Sequence, residues 1–425
     1  MAHILPSAPK ASRLHIGLAG RVNVGKSSFL NMLAGQDVAI TSSIAGTTTD
    51  VVEKTMEFLP LGPVTLIDTA GVDDKSALSV ARIEKTTKAL RRADILAIVI
   101  ASNAWSEYED ALVNQARANS VPVLVVINKA DLSEPTPDFL ALLDVKRLHW
   151  IQGDSTGSKA EQEAYRNAFK AGIRDLLPRL FTAPPSLLGD LLPAGGMAVL
   201  VVPIDLGAPQ GRLIVPQVQS LRDLLDNDAS ALVVKDREYA ATLARLSMAP
   251  DLVVCDSQVV ARVVADTPPA IPLTTFSILF ARYKGDLAEL ARGAGVLNRL
   301  RAGDRILLAE GCSHHPLEDD IGRVKIPRWL RQFAGCELNI SSCAGHDFPP
   351  DLKDFRLVIH CGGCVMTRQE MLSRLSEADR EHVAMTNYGL AISVLQGVLH
   401  RALSPFPDAL SAYEQDLGTG PQRIS

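Results

Sequence analysis

The first 254 residues of this 425-residue chain hold no cysteine, and the six that follow are unevenly spread: Cys255 stands alone, whereas Cys312, Cys336, Cys343, Cys361 and Cys364 fall close together. A disulfide framework is a poor reading, because the amino terminus, MAHILPSAPKASRLHIG, has no apolar stretch of signal-peptide length. No run of about eighteen apolar residues is available for a membrane span. The expected setting is cytoplasmic, where clustered cysteines point to metal rather than to disulfides. A basic excess is also missing. Lys and Arg number 43 against 48 Asp and Glu, a net charge of -5, which argues against wrapping nucleic acid as the main task.

What is present is a globular composition, 47% hydrophobic and 21% charged, which can bury real cores. At about 150 residues per domain the length suggests roughly three domains. Two proline- and glycine-rich stretches, FTAPPSLLGDLLPAGG at 181–196 and DTPPAIP at 266–272, read as linkers. They predict domains at 1–180, 197–268 and 272–410 with a polar tail at 411–425. Apolar runs at 15–19, 64–67, 95–101 and 121–127 alternate with amphipathic stretches, the pattern of a parallel sheet covered by helices. The middle segment predicts three strands (197–202, 231–234, 252–255) with helices near 217–225 and 237–246, and the third predicts strands at 305–309, 337–340 and 356–359. The fold class expected is α/β throughout.

Residues 20–27 read GRVNVGKS, a full G-x-x-x-x-G-K-S between an apolar strand and a helix. In that context loop N–H groups from Gly20 to Gly25 cradle phosphates, Lys26 neutralises the β and γ oxygens, and the Ser27 hydroxyl ligates magnesium, with Ser28 beside it on the helix. Asp68-Thr69-Ala70-Gly71 ends the next apolar run, where Asp68 can hold magnesium through water and the Gly71 N–H can sense a γ-phosphate. Asn128-Lys129-Ala130-Asp131 ends another; a carboxylate there can accept two hydrogen bonds from guanine that adenine cannot offer. Thr48, within Gly46-Thr47-Thr48-Thr49-Asp50, supplies a further hydroxyl to the magnesium shell.

Together these four segments resemble the Ras-like GTPases of the translation-factor class, in the branch that includes the TrmE and Era families. Val72 stands after DTAG where many Ras relatives carry a water-orienting glutamine. In the TrmE-like branch a phosphate-loop asparagine, matched by Asn23, holds a potassium ion, so the resemblance implies potassium-stimulated, slow turnover. The glutamate that orients water in that group has Ser79 as its nearest match by eye, with Asp73, Asp74 and Glu84 as alternatives. The fifth guanine-contacting segment is expected after the strand ending near Gln152, yet GDSTG lacks the usual Ser-Ala pair and leaves that contact open.

Cys312-Ser313-His314 and His360-Cys361-Gly362-Gly363-Cys364 are 45 residues apart, each just past a predicted strand. In an open parallel sheet both would sit at the carboxyl edge, where α/β folds bind ligands. Soft thiolates favour zinc or an iron–sulfur cluster, and a structural Cys3His zinc is the main rival on spacing alone. A dithiol redox pair is a lesser one. Cys255, Cys336 and Cys343 read as small buried residues. The pattern C-x-H, a gap, then H-C-x-x-C, carboxyl-terminal to a TrmE-like GTPase, with the flanks GCSHHPLEDDIGRVKIPRWL, HCGGCVMTRQEM and MTNYGLAI, is similar to the HydF family of [FeFe]-hydrogenase maturation GTPases. That resemblance implies a [4Fe-4S] cluster on Cys312, Cys361 and Cys364 with an exchangeable fourth position. His314, His360 and Asp319, with Glu318 and Asp320, are candidates for that position or for outer hydrogen bonds. It further implies a scaffold or carrier for a transient two-iron precursor, working with the radical enzymes HydE and HydG and the apo-hydrogenase, and a dimerising middle domain. An exposed edge of a three-strand unit would gain stability by pairing with a copy of itself. The alternative is a ribosome-assembly or RNA-modifying GTPase with a structural zinc module. Residues 273–425 carry 17 basic and 18 acidic side chains, no footprint for RNA.

Overall fold

The computed structural model describes residues 13–34, 52–58, 62–68, 91–177, 186–204, 213–311, 321–345 and 347–418. It divides into two compact units, Met1–Pro184 and Pro185–Ser425.

The first unit is built on six strands: β1 (Leu14–Ala19), β2 (Val52–Phe58), β3 (Gly62–Asp68), β4 (Ile95–Ala101), β5 (Val123–Asn128) and β6 (His149–Gln152), ordered β2-β3-β1-β4-β5-β6. β2 pairs antiparallel with β3, and every other pairing is parallel. The helices are α1 (Lys26–Ala34), α2 (Glu107–Ala118), α3 (Pro137–Val145) and α4 (Lys159–Leu176). Strand periodicity divides the apolar side chains between two faces. Ile16, Leu18, Ile95, Ala97, Leu124 and Val126 pack with Phe29, Leu33, Phe169 and Ile173 of α1 and α4. Leu96, Ile98, Val125 and Ile127 pack with Leu112, Val113, Phe139 and Leu143 of α2 and α3. α2 and α4 each open on a capping box, Ser106 with Glu109 and Ser158 with Glu161, which fixes where the chain leaves the sheet edge.

The second unit contains two four-stranded, all-parallel sheets. One has β7 (Met197–Val201), β8 (Ser230–Val234), β9 (Leu252–Cys255) and β10 (Leu273–Thr275) in the order β10-β9-β7-β8, with α5 (Val215–Asp226), α6 (Tyr239–Leu243) and α7 (Val260–Asp266) between strands. α8 (Phe276–Lys284) leaves β10 directly, followed by α9 (Leu287–Gly295). The other has β11 (Arg305–Glu310), β12 (Asn339–Ala344), β13 (Leu357–His360) and β14 (Ala384–Asn387), ordered β12-β11-β13-β14, with α10 (Ile326–Ala334), α11 (Arg368–Arg380), α12 (Tyr388–Leu395) and, after the one-turn helix Leu399–Ala402, α13 (Pro407–Gly418).

Several elements differ from the sequence reading. The middle sheet has four strands, because β10 follows the proline-rich stretch at 266–272 and hydrogen-bonds to β9. No division of the chain falls at that stretch; a single apolar core runs through both sheets of the unit. β12 starts two residues later than expected and carries Cys343, and β14 was not anticipated. Cys255 is fully buried, as expected, whereas Cys336 and Cys343 are only half-buried free thiols. β8 forms one edge of the middle sheet with Val233 exposed, while β10 at the other edge is buried. Among the described residues no helix is long and apolar enough to cross a membrane.

Candidate functional sites: a nucleotide cradle and a thiol loop

The nucleotide site lies where β1, β3 and β5 end. Residues 20–25 turn from β1 into α1, which carries Lys26, Ser27 and Ser28 on its first turn. The Lys26 ammonium is buried and lies 3.5 Å from the Asp68 carboxylate at the end of β3. Gly25 has φ +86°, and a Cβ there would meet the Asn128 amide nitrogen at 2.3 Å, so the cradle and the end of β5 fit only around glycine. Asn128 is fully buried. Its Nδ2 donates to Val24 O (3.0 Å) and Gly25 O (3.3 Å), and its Oδ1 accepts from the Ser155 N–H (3.2 Å). Lys129 Nζ donates to Asn23 O (2.6 Å), and Asn23 holds a left-handed backbone, φ 65°.

Asn128 thereby ties the phosphate loop to residues 153–156. Asp131 is exposed and available to a base. The residues after β6 are held by neighbouring bonds. Gly153 N–H donates to Ile127 O (3.0 Å), Ala130 N–H to Gly153 O (3.3 Å), and the Tyr165 hydroxyl to Ile127 O (2.9 Å), so residues 153–156 sit against Asn128 and Lys129. Thr48 and Gly71, with Val72, Asp73, Asp74, Ser79 and Glu84, lie outside the described residues.

The thiol loop lies at the carboxyl edge of the last sheet, where the neighbouring strands β11 and β13 end side by side. Cys361 N–H donates to Ala309 O (2.8 Å), extending the ladder by one step, and Gly311 N–H donates to Cys361 Sγ (3.1 Å). Gly363 has φ 59°, the left-handed turn that carries the chain from Cys361 back to Cys364, and Met366 N–H closes it on Gly363 O (3.0 Å). Thr367 then caps α11 through a capping box with Glu370. Cys312, His314 and Asp319, with Glu318 and Asp320, lie outside the described residues. Among the described residues no group of three His, Cys, Asp or Glu side chains converges as a metal site.

Two cations under this loop had no motif to announce them. Lys284, the last residue of α8, is 1% exposed and donates to three loop carbonyls: Gly363 O (2.7 Å), Cys364 O (3.0 Å) and Met366 O (2.8 Å). Burial brings its pKa down to about 8, with Cys364, Glu370 and Cys361 acting in the opposite sense. Arg374 of α11 is 2% exposed, donates to His360 Nε2 (2.5 Å) and to Gly345 O, and stacks on the Phe348 ring. His360 is fully buried, and its Nδ1–H donates to Cys361 O (2.7 Å). Burial, then the Arg374 charge, holds its pKa down at about 3. Both ring nitrogens of His360 are thus engaged, so of its two expected roles the outer hydrogen-bonding one fits and metal ligation does not. The third quoted motif also reaches this edge: Asn387 Nδ2 donates to Ser277 O (2.8 Å) and Gly389 N–H to Ser277 Oγ (3.1 Å), which docks the start of α12 on α8.

Comparison with known proteins agrees with this division. The hydrogen maturase F dimerization domain model matches residues 187–285, and the hydrogen maturase F tetramerization domain model matches residues 288–405, together more than half of the chain. The 50S ribosome-binding GTPase model matches residues 15–129. The tRNA modification GTPase MnmE of Janthinobacterium sp. (strain Marseille) is 43% identical over 148 residues, 34% of this chain and 32% of that protein. MnmE of Paraburkholderia xenovorans (strain LB400) is 35% identical over 186 residues, 41% and 40% of the two chains. The chain spans less than half the length of these relatives. Among solved structures, an Era variant from Aquifex aeolicus bound to GDP·AlF4- is 27% identical over 39% of this chain and 56% of that one, with a TM-score of 0.30. The G domain of the T. maritima FeoB iron transporter is 21% identical over 37% and 99%, with a TM-score of 0.29.

Fold and site define a P-loop GTPase domain, which binds GTP with Mg2+, followed by two parallel-sheet α/β domains that serve oligomerisation. The chain belongs to the hydrogen maturase F (HydF) family.

Tyr165 tests how the guanine side is held. Burial raises its pKa, so the unfolded phenol ionises near pH 10 while the folded one keeps its proton. Stability is therefore unaffected by this group below about pH 10 and falls as the pH rises above it. Tyr165→Phe is expected to lose about 1 kcal/mol at neutral pH, since Ile127 O keeps the Gly153 donor. It should also show a shallower alkaline loss than the wild type in denaturant unfolding at pH 7 and above pH 10. Equal alkaline loss in both chains would contradict this assignment.

Proposed function

We propose that this chain is a GTP-hydrolysing scaffold that binds a [4Fe-4S] cluster through Cys312, Cys361 and Cys364 and carries a two-iron precursor of the [FeFe]-hydrogenase active site. The observation that carries the proposal is the Gly311 N–H donated to Cys361 Sγ at 3.1 Å. Gly311 is the residue before Cys312 in the sequence, so this bond joins the end of the strand leading to one cysteine motif to the first cysteine of the other. The residues present suit an iron–sulfur group. Two cysteines flank a glycine turn, an N–H is aimed at one sulfur, and two buried cations, Lys284 and Arg374, lie under the loop.

In this reading Cys312, Cys361 and Cys364 hold the cluster, and it supplies an iron with an exchangeable position at which cargo binds. His360 orients the Cys361 carbonyl. The fourth position is left to His314, Asp319 or a small exogenous ligand, and an open position suits a protein that must release what it binds. HydE and HydG would supply the two-iron cargo, and the apo-hydrogenase would receive it.

Lys26, Ser27, Thr48, Asp68 and Gly71 serve phosphate and magnesium, Asp131 reads guanine, and Asn23 lines a potassium position in the phosphate loop. GTP turnover is then slow, and faster in potassium than in sodium buffer; equal rates in the two salts count against the Asn23 assignment. Dimerisation is assigned to the edge strand β8, whose Val233 is exposed while β10 at the opposite edge is buried. Val233→Lys should shift the light-scattering mass toward the protomer at micromolar concentration, and an unchanged mass means another surface pairs.

The cluster is tested by anaerobic reconstitution with iron and sulfide, followed by metal and sulfide analysis. Cys312→Ala, Cys361→Ala and Cys364→Ala are each expected to lose bound iron, while Cys336→Ala and Cys343→Ala keep it. A wild type that takes up only zinc favours the RNA-handling GTPase with a structural zinc module, and full iron in Cys312→Ala removes that residue from the site.

A further inference from the structure

Lys284 is the least economical residue in the second unit. Taking an ammonium out of water costs several kcal/mol even after relaxation, and an isolated buried lysine normally finds a carboxylate or loses its proton. Lys284 is 1% exposed, yet no carboxylate of the described residues forms an ion pair with it; its three protons go to the carbonyls of Gly363, Cys364 and Met366. Three donors on three acceptors saturate the ammonium as a hydrogen-bonding group. They do not cancel its charge. Arg374 adds a second cation, 2% exposed, whose donors meet His360 Nε2 and Gly345 O. Glu370, 4% exposed, is the carboxylate that both cations sense, and it is bonded to the Thr367 cap. Glu310, the other buried carboxylate at this edge, is paired with Arg323, so Lys284 and Arg374 face Glu370 alone as a carboxylate that both sense.

The geometry points to Lys284 as the positioning residue and counter-charge of the thiol loop. Its ammonium fixes the turn from Cys361 to Cys364 in the shape that presents both sulfurs, and it balances the anionic group those sulfurs hold. This rests on the reading of Cys361 and Cys364 as cluster ligands. The group it balances is anionic, because thiolates bring more negative charge than the metal and sulfide core offsets. Addition of an electron makes that group more negative, so a fixed cation beside it stabilises the reduced form over the oxidised one. Lys284 also lies in the stretch matched by the dimerization model, whereas the loop it holds lies in the stretch matched by the tetramerization model. α8 thus links β10 of one sheet to the carboxyl edge of the next.

The test uses the full chain, reconstituted anaerobically with iron and sulfide, with far-UV circular dichroism as the control for folding. Lys284→Met keeps the apolar stem and removes the charge and all three donors. It is expected to bind the cluster about 10-fold or more weakly, the usual size of an outer-partner loss. Its residual cluster should have a more negative midpoint potential in an EPR-monitored redox titration. A Lys284→Met cluster with the wild-type potential overturns the proposal whatever its iron content, because a purely structural lysine leaves the potential alone. A wild type that takes up no cluster overturns the underlying ligand reading instead, before any variant is compared. Should Lys284→Met fail to fold, Lys284→Arg carries the test: with the charge kept, its midpoint stays at the wild-type value, and a displaced midpoint overturns the proposal.

Discussion

The ammonium of Lys284, held by three carbonyls of one short loop, is the interaction on which the second unit is organised. Each of those bonds is charge-assisted, and each acceptor belongs to a turn that glycine alone makes possible, at Gly363. Without the ammonium, the carbonyls of residues 363, 364 and 366 would converge on one another with nothing between them. With it, the loop has one conformation, and Cys361 and Cys364 inherit theirs from it. The same lysine ends a helix that starts at the last strand of the preceding sheet, so the position of the thiols depends on elements of both sheets.

Residues 185–425 form one compact unit. A continuous apolar core joins its two sheets, and polar bonds cross between them as well: Lys325 to Gln258 (2.9 Å), the Leu273 N–H to Ser404 (3.2 Å) and Arg401 to Ile271 O (2.6 Å). A dimer contact made at β8 would act on the sheet from which α8 departs. Cation placement at the thiol loop follows a related logic. His360 cannot carry charge in the folded state, because it is fully buried against Arg374, so it serves as a neutral acceptor that fixes the guanidinium. The charges that remain under the loop are those of Lys284, Arg374 and Glu370.

Much of this was legible in the sequence where one element carries both its own periodicity and its own motif. β4 and β9 fall where uninterrupted apolar runs predict them, and the phosphate loop joins its strand and helix as the glycine and lysine spacing requires. The HCGGC segment lies past β13 at the carboxyl edge, next to the end of β11, as the topology of an open parallel sheet requires. β2 was not legible, because VEKTMEF is an edge strand with charged residues along it and reads as loop. β10 and β14 are three and four residues long, too short for a periodic signal, and β10 also follows a run of prolines that looks like a linker. The loop-fastening bonds of Asn128 were not legible for a different reason. Its tetrapeptide signals guanine, but the groups it fastens, Gly25 O and the Ser155 N–H, lie far away along the chain. Lys284 gave only one hint, a cation closing a largely apolar helix, FSILFARYK, that also carries Arg282 in its last turn and lies far in sequence from the cysteines it supports.

The proposed function turns on Cys361 and Cys364, at the carboxyl edge of the last sheet, holding a four-iron cluster together with Cys312 and leaving one iron exchangeable. Mössbauer spectroscopy of the full chain reconstituted anaerobically with 57Fe addresses it most directly. The account predicts the spectrum of a [4Fe-4S]2+ cluster in which one iron site alone responds to added cyanide. Four irons that all ignore the added ligand, or a chain that binds no iron as a cluster, would contradict it.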